Sequence, residues 1–415
     1  MLHDPARHEA LLLIDWNEDR VRAAIARIVT DTELRFSPDR YWPSHPRDLE
    51  EGDDPNQCAT SLYYGACGVM WALHYLQAVG ATRLSGSYAG HLEGLLVRNR
   101  AWLHSIGCEE FASYMMGDTP ILLLAYGNSP RAEYADCLAE LIAGNLDNPS
   151  RELMWGSPGT LLASLLLFEY TNDERWAVLF RKTVETLWSQ LKWSSEYECH
   201  YWTQDLYGQQ SSYLDAVHGF VASALPIVRG RNLLDASAWT GWERCIANTI
   251  VRSATWEGGQ ANWRAHLYTP EGKSPRMLMQ FCHGAPGFIV CLAGFPGTSL
   301  DSLLLAAGEA VWAAGPLTKG SNLCHGTGGN GYAFLKLFIR TGDRVWLDRA
   351  RAFAMHGIAQ TEAEAERHGR MRYSLWTGDP GFAIYLWDCL NATAAFPTLD
   401  VYYGVRAAAP CTETR

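Results

Sequence analysis

The sequence contains no apolar run long enough to cross a bilayer. Its most apolar stretches, Gly287–Phe295 and Thr160–Phe168, are about half the length a membrane helix needs. It also lacks any cluster of basic residues. The 34 Lys and Arg are interspersed with 45 Asp and Glu, and the net charge of −11 argues against a nucleic-acid footprint. Met1 to Arg20 carries charges from Asp4 onward and has neither a basic leader nor a long apolar core, so no secretory signal is expected. No low-complexity stretch points to a disordered tail. The cysteines are odd in number, eleven spread over 415 residues, which does not suit the disulfide framework of a small secreted domain. These absences predict a soluble, cytoplasmic protein with free or metal-bound thiols. Apolar residues, at 48%, suffice for a large core.

What the sequence does have is a recurring glycine turn followed by an apolar run. The turn appears as Gly65-Ala-Cys-Gly68, Gly117-Asp-Thr-Pro120, Gly156-Ser-Pro-Gly159 and Gly219-Phe-Val-Ala222. It returns as Gly284-Ala-Pro-Gly287, Gly326-Thr-Gly-Gly329 and Gly378-Asp-Pro-Gly381. The first glycines are 52, 39, 63, 65, 42 and 52 residues apart. The runs that follow Gly68, Gly159 and Gly329 are apolar nearly all round, as helices buried on both sides must be. Twelve residues after Gly159 and Gly329 begin Thr171-Asn-Asp-Glu-Arg-Trp176 and Thr341-Gly-Asp-Arg-Val-Trp346, each supplying a turn, an N-cap and a second helix. There Trp176, Phe180, Val184 and Leu187 share one face, as do Trp346, Ala350, Phe353 and Ala354.

Each unit thus reads as a buried inner helix, a short turn and an outer helix with one wet face. Such units cover their apolar surface only by stacking. The expected fold is all-α, an α/α toroid of about seven helical hairpins with GxxG corners. It would occupy residues 61–400, with an N-terminal extension (1–60) packed on it and a C-terminal tail (401–415).

Most corners offer Tyr, Trp, Thr or Met just before the glycine. Three offer something reactive: Val217-His218-Gly219, Cys282-His283-Gly284 and Cys324-His325-Gly326. Thiolate and imidazole are preferred zinc ligands, and a closed ring could bring two equivalent corners to one point. Residue types alone leave two arrangements open. One is a closed structural site of Cys282, His283, Cys324 and His325; the other is a site with a position free for substrate. The remaining cysteines (Cys58, Cys67, Cys108, Cys137, Cys199, Cys245, Cys291, Cys389 and Cys411) read as small buried hydrophobes.

The corners Gln280-Phe-Cys-His-Gly-Ala-Pro-Gly287, Leu323-Cys-His-Gly-Thr-Gly-Gly-Asn-Gly-Tyr332 and Ser374-Leu-Trp-Thr-Gly-Asp-Pro-Gly381 resemble the lanthionine synthetase C superfamily. It includes bacterial lantibiotic cyclases and the LanC-like proteins of eukaryotes. The resemblance runs from about Ser61 to Pro397. It implies a seven-hairpin toroid with one zinc ion on Cys282, Cys324 and His325, His283 not coordinating, and the last position left for a substrate thiol. It implies addition of a cysteine or glutathione thiol to dehydroalanine or dehydrobutyrine in a peptide or protein.

By the same resemblance His218 matches the catalytic acid or base, and Glu152 stands where cyclases carry an aspartate that orients it. Glu at 152, and Lys319 where the LanC-like branch has a glutathione-contacting lysine, place the chain closer to that branch. An arginine before the last corner is also implied, and Arg367, Arg370 and Arg372 all qualify. Pro120 and Ala222 depart from the GxxG pattern and touch no proposed catalytic atom.

Two other functional classes fit a helical toroid. One is carbohydrate processing, for which the 17 tryptophans and 19 tyrosines could line a cleft. That chemistry needs paired carboxylates, and none stand at equivalent corners. The other is a non-catalytic scaffold stabilised by zinc.

Overall fold

A computed structural model describes residues 1–49, 58–272 and 277–404. The expected tail lies outside the described residues from 405 onward, as does Cys411. Helix α1 (Glu18–Leu34) is followed by α2 (Ala66–Ala78), α3 (Leu92–Ser105), α4 (Thr119–Asn128), α5 (Ala132–Gly144), α6 (Ser157–Thr171) and α7 (Glu174–Ser189). Two hairpins come next: β1 (Lys192–Ser194) with β2 (Cys199–Tyr201), and β3 (Gln204–Leu206) with β4 (Gln209–Ser211). Then come α8 (Phe220–Arg229), α9 (Ala236–Ser253) and the hairpin of β5 (Ala254–Glu257) and β6 (Gln260–Trp263). The last helices are α10 (Ala285–Leu292), α11 (Asp301–Ala314), α12 (Thr327–Thr341), α13 (Arg344–His368) and α14 (Asp379–Asn391).

The even-numbered helices are the inner ones. All eight residues of α10 are buried, as is every residue of α6 from Ser157 to Leu167. The odd-numbered helices each keep a wet face: α7 buries Trp176, Phe180, Val184 and Leu187, and α13 buries Trp346, Ala350, Phe353 and Ala354. The repeated Thr-x-Asp links act as read from the sequence. Asn172 and Gly342 end α6 and α12 in the left-handed conformation, and the side chains of Asp173 and Asp343 cap α7 and α13.

Every inner helix touches the next, and α14 touches α2, so the ring is closed. The outer partner of α14 is not downstream of it: α1 takes that place. Phe396, beyond α14, packs on Phe281, Trp376 and Tyr332 and helps to fill the middle. The toroid is therefore a solid core rather than a pore.

A belt of hydrogen bonds joins the corners, built on the residue two before each first glycine. Tyr63 N–H donates to Met115 O (3.1 Å), Met115 to Met154 O (3.2 Å), and Leu153 to Val217 O (3.1 Å). Farther round, Cys282 donates to Cys324 O (3.0 Å), Cys324 to Trp376 O (2.9 Å) and Trp376 back to Tyr63 O (3.1 Å). Such close nesting needs the second glycine. A Cβ on Gly68 would lie 2.2 Å from the Leu62 carbonyl oxygen of its own corner and 2.7 Å from the Leu375 Cβ of the last corner, where the ring shuts. Of the two departures, Pro120 occupies the first turn of α4, where its missing N–H leaves no bond unmade, and Ala222 is buried in the first turn of α8.

The three short hairpins occupy the long stretches before the fourth and fifth corners. Leu214 N–H donates to Ala265 O and Leu267 N–H to Ser212 O, both at 2.8 Å, so the segments leading into these corners run side by side. No helix among the described residues is long and apolar enough to cross a membrane.

Candidate metal centre

Cys282 and Cys324 are both belt residues, and the Cys282 N–H bond to Cys324 O holds their corners edge to edge. Their sulfurs and one ring nitrogen of His325 all lie within 4.8 Å of one another. This is the one such group of ligating side chains found among the described residues. Both thiols are buried and His325 is half-buried. His283 stands apart from the group: its Nδ1 meets Asp215 Oδ2 at 2.7 Å. The structure thus gathers the three expected ligands and leaves His283 out. The other cysteines among the described residues are unpaired. Cys137 is exposed, and Cys58 and Cys108 are half-buried, so the reading of these three as buried hydrophobes is corrected.

The sulfurs are held by donors that sequence reading did not single out. Tyr63 Oη–H donates to Cys324 Sγ and Gln280 Nε2–H to Cys282 Sγ, both at 2.9 Å. Gln280 in turn accepts from Arg7 Nη2 at 2.8 Å. Arg7 is placed there by a short pairing in which Thr318 N–H donates to Arg7 O and Glu9 N–H to Pro316 O, both at 3.0 Å. The hydrogen bond from Cys282 holds the Cys324 thiol below its ordinary value against burial, helped by Tyr63, Lys319 and Arg372. The bond to Cys324, and burial, push Cys282 upward. The two thiols of the pair are thus unequal, Cys324 being the more acidic. Two sulfurs and an imidazole, each sulfur already supported by a hydrogen-bond donor, form a set that fits zinc.

At the fourth corner His218 Nδ1 meets Glu152 Oε2 at 2.9 Å. Glu152 is fully buried and also accepts from the main-chain N–H groups of Met154 (2.8 Å), Trp155 and Gly156 (3.3 Å). Burial pulls the His218 pKa down, but Glu152, Asp215 and Cys282 together raise it to about 9. Tyr213 lies beside the dyad, its ring centroid 5.5 Å from that of His218.

Glu152 stands four residues before its glycine, and that position is polar at every corner. Ser61, Ser113, Asp215 and Asn322 use it to accept main-chain N–H groups of their own turns, folding the corner. Asp215 is thus the repeat equivalent of Glu152, a match that the spacing contained. Tyr63 and Gln280 also hold fixed corner offsets, whereas nothing near Arg7 in the sequence marks it.

Lys319 is exposed at the mouth of a cleft it shares with His45, Arg47, Arg370 and Arg372. Partial loss of solvent around its ammonium, and the neighbouring Arg7 charge, hold it below the ordinary lysine value, while both thiols act to raise it. Arg372 is the arginine whose charge reaches Cys324, and it is paired with Asp48. Arg367 pairs with Glu364 on the surface. A separate cavity of about 390 Å³, lined by Trp71, Tyr75, Tyr170 and Tyr403, lies at the other ends of the inner helices.

Known proteins agree with this architecture. Over 142 residues the chain is 35% identical to "Glutathione S-transferase LANCL1" of Danio rerio, covering 31% of this chain and 33% of that one. Over 144 residues it is 37% identical to "LanC-like protein GCL1" of Arabidopsis thaliana, covering 32% of each. The alignments span about one third of the length of these curated relatives. A solved structure of nisin cyclase shares the fold, with a TM-score of 0.60 over 91% of this chain and 95% of that one at 15% identity. The sequence model described as "Lanthionine synthetase C-like protein" matches residues 122–401, and the chain belongs to that family.

Proposed function

We propose that the protein is a thioether-forming enzyme that joins a thiol to the β-carbon of dehydroalanine or dehydrobutyrine in a peptide or protein. The observation that carries this reading is the placing of a Cys282–Cys324–His325 donor set and a His218–Glu152 dyad on corners of the same end of one ring. One zinc ion on the three donors, when bound, would keep the substrate sulfur in its nucleophilic thiolate form at neutral pH. The chain's own residues supply the rest. As sulfur bonds to the β-carbon, the electron pair of the double bond moves toward the α-carbon and its carbonyl. His218, held protonated by Glu152, gives its Nε2 proton to the α-carbon. The proton that the thiol loses as it becomes thiolate passes to solvent, from which the spent His218 regains its own, so the addition is balanced overall.

Glutathione is the favoured thiol. It carries two carboxylates, and the adjoining cleft holds Lys319 and Arg370 beside the paired Arg372–Asp48 and Arg47–Glu364, with Arg7 close by, so cations outnumber the carboxylates Glu364 and Asp379 that also line it. The Danio rerio relative is named a glutathione S-transferase, which supports the same thiol. Cyclisation by a cysteine of the same peptide is the second version, and both versions place the protein in the cytoplasm, where free thiols persist. The carbohydrate reading loses support, because Glu152 and Asp215 are fully buried and engaged by histidine and main-chain N–H groups rather than facing a cleft as a pair.

The test is product mass after the zinc-loaded protein meets a dehydroalanine peptide with glutathione. A gain of one glutathione is expected. Loss of a peptide thiol at unchanged mass would indicate cyclisation, and no product above the uncatalysed rate would refute both. Cys324→Ala separates an enzyme from a zinc-stabilised scaffold if metal, fold and turnover are followed together.

A further inference from the structure

Six of the seven joints between corners carry a main-chain hydrogen bond of the belt. Among the described residues, the joint between the His218 corner and the Cys282 corner has no such bond. The segments leading into the two corners are paired at Ser212–Leu214 and Ala265–Leu267, but at the level of the belt the side chain that spans the joint is that of Asp215. Its Oδ1 accepts from Val217 N–H (3.0 Å) and His218 N–H (2.7 Å), and its Oδ2 from His283 Nδ1 (2.7 Å). One fully buried carboxylate therefore grips the main chain of the proton-handling corner and the ring of the residue next to a metal-site thiol. The arrangement repeats its neighbour: Glu152 folds the third corner and holds the histidine of the fourth, and Asp215 folds the fourth and holds the histidine of the fifth.

We propose that Asp215 is a positioning residue that latches the His218 corner to the Cys282 corner, in place of the belt bond absent from that joint. The proposal rests on the thioether-forming reading for its consequence but not for the latch itself. With the latch closed, His218 Nε2 keeps a fixed place relative to the two sulfurs. With it open, the same groups remain but their spacing drifts. A loosened support of this kind typically costs about 10–100-fold in turnover.

The experiment compares Asp215→Asn, His283→Ala and His283→Asn in the zinc-loaded protein. Asparagine at 283 puts an amide N–H where Nδ1 stood and can still reach Asp215; alanine cannot. Zinc content should equal that of the parent in all three. Amide hydrogen exchange over residues 214–219 should quicken in Asp215→Asn and His283→Ala and stay slow in His283→Asn. The kcat for glutathione addition to a dehydroalanine peptide should fall about 10–100-fold in the first two with KM little changed, and largely recover in His283→Asn. If His283→Asn is as slow as His283→Ala, the imidazole itself does the work and the latch is overturned. Loss of zinc from Asp215→Asn would equally overturn it, by showing a structural role at the metal corner. Should Asp215→Asn fail to fold, the two His283 variants decide alone. If the parent makes no thioether, the proposed function falls while the exchange result still decides the latch.

Discussion

Replacing Glu152 with Gln should move the alkaline limit of turnover, and the structure sets the size of the move. His218 has a pKa of about 9 against an ordinary 6.5, a gap worth roughly 3 kcal/mol of net stabilisation of the imidazolium. Burial acts against that stabilisation, and the hydrogen bond and charge of Glu152 are the largest groups acting for it. Glutamine keeps an oxygen for Trp155 and Gly156 but turns an amide N–H₂ toward Met154 N–H and His218. The imidazole must then present a bare Nδ1, and its pKa falls to 6.5 or lower.

A proton donor works only below its pKa, so turnover should fall as pH rises through about 9 in the parent and through 6.5 or below in the variant. At pH 8 about 90% of His218 is protonated in the first case and about 3% in the second, a difference of about 30-fold in kcat. A cation beside Cys282 would offset the last contribution in parent and variant alike, moving both alkaline limits down together and leaving their separation as the readout. The assay is kcat against pH from 6 to 10 with glutathione and a dehydroalanine peptide, metal content being checked in parallel. If the alkaline limit stays in place in Glu152→Gln, His218 is not the proton donor that this dyad prepares.

Metal content should fall to background in His325→Ala and remain near one equivalent in His283→Ala, by elemental analysis; equal loss in both would restore the closed four-ligand site. Lys319→Ala should raise KM for glutathione roughly tenfold and leave addition of an uncharged small thiol nearly unchanged, a contrast that competition kinetics would expose. Gly68→Ala should lower stability in urea by about 1–3 kcal/mol, because its Cβ would press on the Leu62 carbonyl oxygen and on Leu375 where the ring closes. Gly86→Ala, with no atom within 4 Å of its added carbon, serves as the control.

The glycine corners were legible in the sequence because at Gly68, Gly159 and Gly287 a Cβ would strike both the corner's own carbonyl and the adjoining corner, which keeps glycine at most of these positions, Pro120 and Ala222 being the two departures. The two Cys-His-Gly corners were legible because few residue types bind zinc. Partners were harder, since they depend on how the ring closes. Tyr63 meets Cys324 across 261 residues, and Arg7 meets Gln280 across 273. Asp215 could have been found from its offset, shared with Glu152. The 63- and 65-residue spacings also signalled extra structure before the fourth and fifth corners, where the hairpins lie, but strands of three or four residues carry too little periodicity to be read. The role of α1 was hidden because its glycine-free approach looks like no other repeat.

That borrowed outer helix has a consequence for assembly during translation. Two of its ties, Arg20 to Glu362 and Asp31 to Tyr373, span 342 residues each. Until the far end of the chain emerges from the ribosome, Val21, Ile25, Ile28 and Val29 have no α14 to cover them. A nascent chain of this design carries a sticky face for most of its synthesis. Its early segment is where a chaperone would be needed.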